Sequence, residues 1–502
     1  MNKKVIIIGA GIAGLASGVY LARSGFDVQI FEKNDKCGGL CTTTARNDYL
    51  FESCLYWVFG TNSTNSLYRL WEELGVASAC QFIEFTEYMR LEYEDGDSIR
   101  VFSDLALLRD ELKAVSPQDS KKIDKLYADA KKVAKFSLPY EKPQQLWNLK
   151  DLFAFLKKTT VFLPLLLKYK NICIEDYVKT LKSPKLRNVF LDLLSLVSNY
   201  PMVMVLLIFA SMDTGNANYP KGGSLFLAEA IRDKLLSIAG ESVIQYETSI
   251  YKILTEKGKV IGVELQTGDK HYADYVISCS DGYNTIFNML GGRFGSKKLK
   301  NQYQELPVFH SYMQISFGVN RDLSKEHQFI VYKFKKPIKI GDRKIDNIRI
   351  RHYCFNEQFA PKGKSSLVIT FDSDYDYWNR LYSLNVDKYN AEKERVKDEI
   401  LRALNIRFEG IASQIEMTDI ATPKTFERFS GNRKGSAEGW GVTCKTLTTS
   451  FPYTLKGLEN FYMAGHWTNI NGGIMTASVT ARQVAQLICD KENAEFQGGN
   501  AL

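Results

Sequence analysis

The sequence is poor in the side chains that build metal centres and nucleophilic active sites. Five histidines occur in 502 residues, and no two have the spacing of a metal-binding pair such as H-x-x-x-H. Nine cysteines are scattered without a C-x-x-C pair, and an odd number of scattered thiols is typical of a reducing compartment. These absences disfavour metalloenzymes, dithiol oxidoreductases and triad hydrolases, and we expect no metal.

Charge and apolar runs argue against two further classes. Lys and Arg total 65 against 57 for Asp and Glu; the resulting +8 is no nucleic-acid signature, but it is compatible with an anionic membrane surface. The apolar stretches 161–167 and 189–210 are short or interrupted, whereas a spanning helix needs roughly 20 apolar residues. A strand that begins by residue 4 indicates that no signal peptide precedes the fold. We expect a cytoplasmic chain, compatible with peripheral membrane association.

The segment from Lys4 to Glu32 carries the most specific pattern. A β-branched run from Lys4 to Ile8 predicts a buried strand, and a helical pattern follows from Ile12 to about Arg23. Between them lies G-x-G-x-x-G, whose first glycine allows a tight turn, whose second admits a pyrophosphate and whose third lets helix and strand pack closely. A second strand ends at Glu32, near the position where such a unit places an acid that accepts from a ribose hydroxyl. The unit predicts a dinucleotide site.

A second glycine pair follows the acidic residue. Gly38 and Gly39 come directly after Lys33 to Cys37, and such a turn brings more backbone donors towards a diphosphate. At this point the chain resembles the FAD-containing amine oxidase and phytoene desaturase superfamily, whose fingerprint is a βαβ unit followed by a glycine–glycine loop. No second G-x-G-x-x-G follows a strand, which argues against a dedicated NAD(P)H domain.

The remaining pattern predicts an α/β protein of three parts. A Rossmann-like FAD-binding domain is expected from segments 1–105, 215–300 and 419–502. An inserted helical segment at 106–214 contains both apolar stretches with lysine flanks; they are expected to form either a helical core or an interfacial, substrate-facing surface. An antiparallel, β-rich substrate domain is expected at 301–418. Residues 82–102 read as a small meander within the first part, and Ser224 reads as a helix N-cap.

The C-terminal block repeats the strand, glycine turn and helix of the N-terminus. It runs from Asn460 through Ala464–Gly465 to Gly472–Gly473, and a helix is predicted from about Ser478. Its helix dipole would face the second phosphate of FAD or the pyrimidine end of the flavin. With Tyr219–Ser224 and Thr422–Pro423, these motifs resemble the phytoene desaturase branch, which includes carotenoid isomerases and retinol saturases.

The resemblance implies roles for specific residues. FAD contacts are expected from Gly9, Gly11, Ile12, Ala13, Gly14, Glu32, Lys33, Gly38, Gly39, Leu40, Val243, Ser280, Gly465, Gly473, Ile474 and Met475. A substrate cavity at the flavin is expected to be bordered by Tyr219, Gly222, Gly223 and Trp467.

His466 is the candidate catalytic residue. It follows Ala464–Gly465 at the expected flavin edge, and three roles stay open: a hydrogen bond within the turn, proton donation or flavin tuning, and covalent attachment of FAD. His271 and His327 lie in polar turns and are expected to be solvated. His310 and His352 lie in predicted strands, where packing in the core or cavity is expected.

The leading functional hypothesis is an FAD-dependent oxidoreductase that desaturates or saturates C–C bonds of a long apolar, isoprenoid- or lipid-like substrate. Hydride would move to or from flavin N5, and the electron partner would be a quinone, oxygen or a small carrier. One alternative is an amine oxidase with an aromatic cage of Trp440, Trp467 and Tyr462. The others are a redox-neutral polyene isomerase and a non-enzymatic binder of prenylated proteins.

Overall fold

The computed structural model describes residues 3–136, 140–193 and 199–499. The strands of these residues are β1 Lys4–Ile8, β2 Asp27–Phe31, β3 Thr43–Arg46, β4 Tyr49–Glu52, β5 Val58–Phe59, β6 Phe82–Ile83, β7 Glu87–Tyr93, β8 Ser98–Phe102, β9 Ala217–Pro220, β10 Ile244–Gln245, β11 Ile250–Glu256, β12 Lys259–Leu265, β13 Lys270–Tyr272, β14 Tyr275–Ser278, β15 Tyr312–Val319, β16 Phe329–Ile340, β17 Arg343–His352, β18 Ser365–Asp372, β19 Ile415–Ala421 and β20 Phe461–Met463.

The α-helices alternate with these strands near both ends and cluster in the middle of the chain. They are α1 Ile12–Arg23, α2 Tyr68–Glu73, α3 Val76–Ala79, α4 Leu105–Val115, α5 Ser120–Val133, α6 Leu149–Thr159, α7 Phe162–Tyr169, α8 Ile174–Lys179, α9 Pro184–Leu193, α10 Met202–Asp213, α11 Gly223–Ala239, α12 Lys297–Glu305, α13 Tyr375–Leu384, α14 Val386–Arg407, α15 Pro423–Ser430 and α16 Gly473–Lys491.

A five-stranded parallel sheet forms the first layer, in the order β10–β2–β1–β14–β20. Helix α1 packs against both α11 and α16 beside this sheet. Strands from segments 4–31, 244–278 and 461–463 therefore share one layer, although the first and the last come from opposite ends of the chain. Since parallel strands end at one edge, the turns after β1, β2, β14 and β20 meet there, where open α/β sheets bind ligands.

A seven-stranded sheet forms the second layer, in the order β19–β15–β18–β17–β16–β7–β8. Its five strands from segment 312–421 are antiparallel neighbours. The predicted meander at 82–102 needs correction, because β7 pairs in parallel with β16 and carries β8 into this sheet. The physical reason is burial: Met89, Leu91, Ile99 and Val101 pack into the core of the helical segment together with Phe329. The three-part division of the chain stays a prediction.

Helices α4–α10 form the predicted helical segment, and all of them except α6, which has no buried residue, contribute to one apolar core. The apolar stretch 189–210 contributes the end of α9 and much of α10, while residues 194–198 within it lie outside the described residues. Within residues 3–136, 140–193 and 199–499, no helix is both long enough and apolar enough to cross a membrane.

The sequence predicted Ser224 as the N-cap of α11, and this prediction is wrong. The helix begins one residue earlier, at Gly223, and Gly222 is its N-cap. The backbone N–H and the hydroxyl of Ser224 both donate instead to the buried carboxylate of Glu52. A charged acceptor from a neighbouring strand has displaced the local capping interaction.

Candidate active site

The turn after β1 brings the backbone close to the cavity at the sheet edge. Gly9 has a φ of +97°, and its N–H donates to Phe31 O at 2.8 Å. Helix α1 begins three residues later, with Gly11 as its N-cap. A Cβ on Gly14 would lie 1.9 Å from Gly9 O, so helix and turn can approach this closely only with glycine at position 14. The free N–H groups at the start of α1 are suited to binding an anion.

Glu32 lies just past β2 and closes the same turn. Its carboxylate accepts from Ala10 N at 2.7 Å and from Asn34 N at 2.9 Å, and the side chain is buried. Since a carboxylate oxygen accepts more than one hydrogen bond, both oxygens retain capacity for a ribose hydroxyl. The turn and the acid are thus preorganised by contacts with each other.

The second glycine pair forms the opposite side of a cradle. Gly38 N donates to Ala10 O at 2.8 Å, and Gly11 and Gly38 form an isolated parallel bridge. A Cβ on Gly39 would lie 3.3 Å from Gly11 Cα, so a side chain there would fill the space between the two loops. Two glycine loops that leave space between their backbones fit the diphosphate of a dinucleotide such as FAD.

The C-terminal block reaches the same place from the other end of the chain. Ala464 N donates to Ser278 O at 3.0 Å, and a Cβ on Gly465 would lie 3.3 Å from Ala13 Cβ. Helix α16 starts at Gly473 with Gly472 as its N-cap. A second helix N-terminus therefore faces the cavity beside α1, and its donors fit an electron-rich ligand group.

A single cavity of about 850 Å³ connects these turns with the helical segment. Sixteen of the predicted site residues line it: Gly9, Gly11, Ile12, Ala13, Glu32, Lys33, Gly38, Gly39, Leu40, Ser280, Gly465, His466, Trp467, Gly473, Ile474 and Met475. Gly14 does not line it, because the glycine is packed against Gly9. Val243 is buried before β10 and does not line it either. The FAD-binding roles of individual residues stay predictions.

The expected cavity position of Tyr219, Gly222 and Gly223 is wrong, since none of them lines the cavity. Tyr219 is buried, and its hydroxyl donates to Glu52 at 2.9 Å. A Cβ on Gly223 would lie 2.8 Å from Glu52 Oε2. This motif therefore packs around the buried carboxylate of Glu52 at the start of α11. No sequence motif surrounds Glu52, so its contact with Tyr219 could not be predicted.

His466 lies in a short 3₁₀ turn at the cavity wall, where its Nε2 is 3.3 Å from Asn432 Oδ1. The same oxygen accepts from Trp467 Nε1 at 3.1 Å. The predicted hydrogen bond within the turn is therefore wrong, because the partner of His466 lies 34 residues earlier in the chain. Burial lowers the pKa of His466 to about 4, so the imidazole is neutral near pH 7.

Two other histidines, His327 and His310, are largely buried, in different surroundings. His327 is not solvated: its side chain is largely buried and its ring lies within hydrogen-bond distance of Phe329 O and Glu87 O. His310 lines the cavity, with Nε2 3.7 Å from Asp372, and burial lowers its pKa to about 4.

Two acids that the sequence did not indicate as site residues, Asp281 and Glu438, line the cavity. Asp281 accepts from Asn284 N at 2.7 Å and from Arg433 N at 3.0 Å, and burial raises its pKa to about 6. Glu438 lies opposite the start of α16, and burial raises its pKa to about 7. Asp281 follows a predicted strand that ends at the ligand edge, which is a usable signal. Glu438 sits in a glycine-rich loop without a motif.

Comparisons with known proteins agree with this geometry. A family model described as flavin containing amine oxidoreductase matches residues 12–489. A prolycopene isomerase of Daucus carota is 24% identical, covering 92% of this chain and 75% of its own length. A 4,4'-diapophytoene desaturase of Methylomonas sp is 24% identical, covering 99% of this chain and 97% of its own length.

An oxidoreductase structure from Methanosarcina mazei superposes with a TM-score of 0.62 at 16% identity, covering 96% of this chain and 100% of its own, a likeness of fold. The match to the family model spans nearly the whole chain, from the first turn of α1 through Gly38 and Gly39 to α16. The chain belongs to the flavin-containing amine oxidoreductases and is an FAD-dependent oxidoreductase.

Proposed function

We propose that this oxidoreductase desaturates or saturates C–C bonds of a long apolar substrate of isoprenoid or lipid-like character. The observation that carries the proposal is the shape of the cavity, which continues from the FAD cradle into the helical segment. Its far wall combines helices α7, α9 and α10 with strands β7, β8 and β16. The apolar residues of that wall include Trp57, Phe59, Met89, Val101, Phe136, Phe162, Leu166, Leu193, Val203, Leu207, Phe209, Met212, Phe329 and Val331.

The chain's own residues would bind and orient the substrate and exclude water from it. FAD, when bound, supplies two-electron hydride chemistry at flavin N5. Aromatic and aliphatic side chains exclude water from the far cavity and position an apolar chain by contact rather than by hydrogen bonds. The glycine loops and Glu32 would hold the ADP half of the cofactor, while Gly473, Ile474 and Met475 would hold the flavin end.

The names of the relatives support this substrate class and one alternative. One relative is named a diapophytoene desaturase and another a prolycopene isomerase, at equal identity to this chain. A redox-neutral isomerase acting on the same kind of polyene is therefore the second candidate. The amine oxidase alternative is weaker: Trp440 is fully buried and stacks on Phe451 at 4.7 Å, and neither Trp440 nor Tyr462 lines the cavity.

The test is the mass of the product. Purified yellow holoprotein is incubated with a long acyclic polyene in detergent, first with a quinone acceptor and then after chemical reduction of the flavin. Loss of two hydrogen atoms identifies a desaturase, gain of two a saturase, and an unchanged mass with altered chromatographic retention an isomerase. Turnover of amines with peroxide release, without turnover of polyenes, would contradict the proposal.

We also propose that helices α6 and α7 dock on an anionic membrane surface. Leu149, Phe153 and Leu167 are 74%, 70% and 59% exposed, while Phe162 and Leu166 on α7 line the cavity. The same helix thus presents one apolar face outward and another to the substrate. Lys150 and Lys157 are exposed beside this face, as expected for an interfacial helix.

Vesicle sedimentation tests this docking. The wild type should sediment with vesicles of phosphatidylglycerol and phosphatidylcholine and be released by salt. Phe153→Ser with Leu167→Ser should weaken binding by roughly tenfold or more, given about 25 cal/mol for each Å² of apolar surface withdrawn from water. Leu384→Ser, which changes a 77% exposed leucine on α13, is the matched control. Equal sedimentation of all three proteins would exclude docking by this face.

A further inference from the structure

Glu438 is held against the N-terminus of α16 by close backbone packing. A Cβ on Gly472 would lie 2.0 Å from the carbonyl oxygen of Glu438, and one on Gly473 would lie 4.0 Å from its Oε1. The side chain also lines the cavity. The carboxyl therefore faces the turn that is expected to hold the flavin end of FAD, and the glycines at 472 and 473 are what allow this approach.

Glu438 differs from the other acids at the cavity in having no partner. Glu32 accepts from two backbone N–H groups, and so does Asp281. Within the described part of the chain, no hydrogen bond or ion pair reaches the carboxyl of Glu438. An unpaired acid withdrawn from bulk water is costly unless it is neutral or meets a ligand. The position is thus suited to binding and releasing a proton.

Reduction of FAD changes the charge beside this position. A hydride delivers two electrons and one proton, which leaves one additional negative charge on the cofactor unless a second proton is bound. We propose that Glu438 binds that second proton, taken from solvent, when FAD is reduced, and releases it when FAD is reoxidised. The balance is two electrons and one proton into the cofactor and one proton onto the Glu438 carboxylate.

The electrostatics of the cavity agree with this role. Burial raises the pKa of Glu438 to about 7, so the carboxyl changes charge near neutral pH in the absence of added negative charge. A negative charge on the cofactor would raise that pKa further, because like charges disfavour ionisation. The other titratable or charged side chains that line the cavity are Glu32, Lys33, Cys41, Cys54, Tyr56, Tyr200, Cys279, Asp281, His310, Tyr312, Arg349 and His466. Tyr200 is the group whose own pKa Glu438 helps to raise.

The inference rests on FAD binding and not on the identity of the substrate, so it is tested on the yellow holoprotein without substrate. The reduction potential is measured from about pH 5 to about pH 9 in the wild type, Glu438→Gln and Glu438→Asp. One additional proton per two electrons steepens the fall of the potential by about 30 mV for each tenfold change in proton concentration. The wild type and Glu438→Asp should show this steeper segment above neutral pH, whereas Glu438→Gln should lack it.

The Gln variant should match the wild type at acid pH and have the higher potential at alkaline pH, because it carries no negative charge there. Parallel curves for wild type and Glu438→Gln would overturn the inference. Loss of the steep segment in Asp281→Asn but not in Glu438→Gln would also overturn it and assign the proton to Asp281. Proton uptake on photoreduction of the wild type, followed with a pH indicator, is independent of the variants. Uptake should rise by as much as one proton as the pH is raised through neutral, and constant uptake would contradict the inference.

Discussion

The carboxylate of Glu32 accepts a hydrogen bond of 2.7 Å from the backbone N–H of Ala10, inside the first glycine turn. Glu32 thereby fixes the first glycine turn and also lines the cavity. Glu32→Ala should weaken FAD binding roughly tenfold to a hundredfold, since hydrogen bonds to charged groups contribute about 1.5–3 kcal/mol. The measurement is titration of apoprotein with FAD by flavin fluorescence. Exposed Glu241→Ala is the control, and an affinity of Glu32→Ala equal to that control would contradict the assignment.

The thiols of Cys173 and Cys444 lie 2.7 Å apart, sulfur to sulfur, between the start of α8 and the loop after Trp440. To form a disulfide, the two sulfur atoms would have to move closer by less than about 1 Å. Treatment of the folded protein with diamide should therefore join these two cysteines selectively. Burial raises the pKa of Cys444 to about 12, so the thiolate is scarce and the reaction should accelerate as pH rises.

Peptide mass mapping without reductant identifies this cross-link. Cys444→Ser should abolish it, and the pair Cys41 and Cys54, whose sulfurs are 4.0 Å apart, should react more slowly. The oxidised protein should unfold at a higher temperature, because the bond closes a loop with a sequence separation of 271 residues. Faster cross-linking of Cys41 to Cys54 would contradict the prediction.

The dinucleotide turn could be predicted because its signals are local. Strand, glycines, helix and acid all fall between Lys4 and Glu32, and each has a defined physical task. The C-terminal half was recognisable for the same reason, although the predicted helix start near Ser478 is late: α16 begins at Gly473. The glycine pair predicts a turn, but its second glycine is also the first residue of the helix.

The errors come from partners distant in sequence. The hairpin β7–β8 follows local alternation correctly, but its parallel pairing with β16 joins Arg90 to Ile330, far along the chain. The Tyr219–Gly223 motif packs against Glu52 and not against the cavity, and no local pattern in the sequence indicates this distant partner. Glu438 has no motif, and only the packing of its loop against Gly472 places it at the flavin turn.

The ion pair of Glu73 with Arg482 should be a strong determinant of stability. Arg482 donates to both carboxylate oxygens, at 2.8 and 3.2 Å, and both side chains are buried. Tyr20 also donates to Glu73, at 2.9 Å, so three helices (α1, α2 and α16) meet at one carboxylate. Arg482→Met should lower the free energy of unfolding by up to about 3–5 kcal/mol, because the buried carboxylate loses its buried partner and keeps only the half-exposed Arg69, at 3.3 Å, as a cation.

Denaturant unfolding measures that loss. Adding Glu73→Leu to Arg482→Met should restore part of the stability, since the buried carboxylate that has lost its buried partner is removed as well. The control is Asp176→Asn, which breaks an exposed pair with Lys179 and should cost less than about 1 kcal/mol. A similar small loss for Arg482→Met would show that the pair contributes no more than a surface contact.

His466 should make the protein less stable in mild acid. Its folded pKa is about 4, against about 6.5 for an unfolded histidine, so between these values the unfolded chain binds more protons. Stability contributed by neutral His466 is fully present above pH 6.5 and is lost as pH falls towards 4. The loss at pH 5 is on the order of 2 kcal/mol.

The wild type alone cannot isolate this effect, because neighbouring groups also titrate. Burial lowers the pKa of His310 in the same direction, whereas the raised pKa values of Asp281 and Glu438 favour the folded state in acid. The comparison is therefore between wild type and His466→Gln, in which the amide can still donate to Asn432 but does not titrate. The difference in their free energies of unfolding should narrow by roughly 2 kcal/mol between pH 7 and pH 5. A constant difference over that range would mean that His466 is already protonated in the folded protein or stays solvated, and would contradict its burial against Asn432.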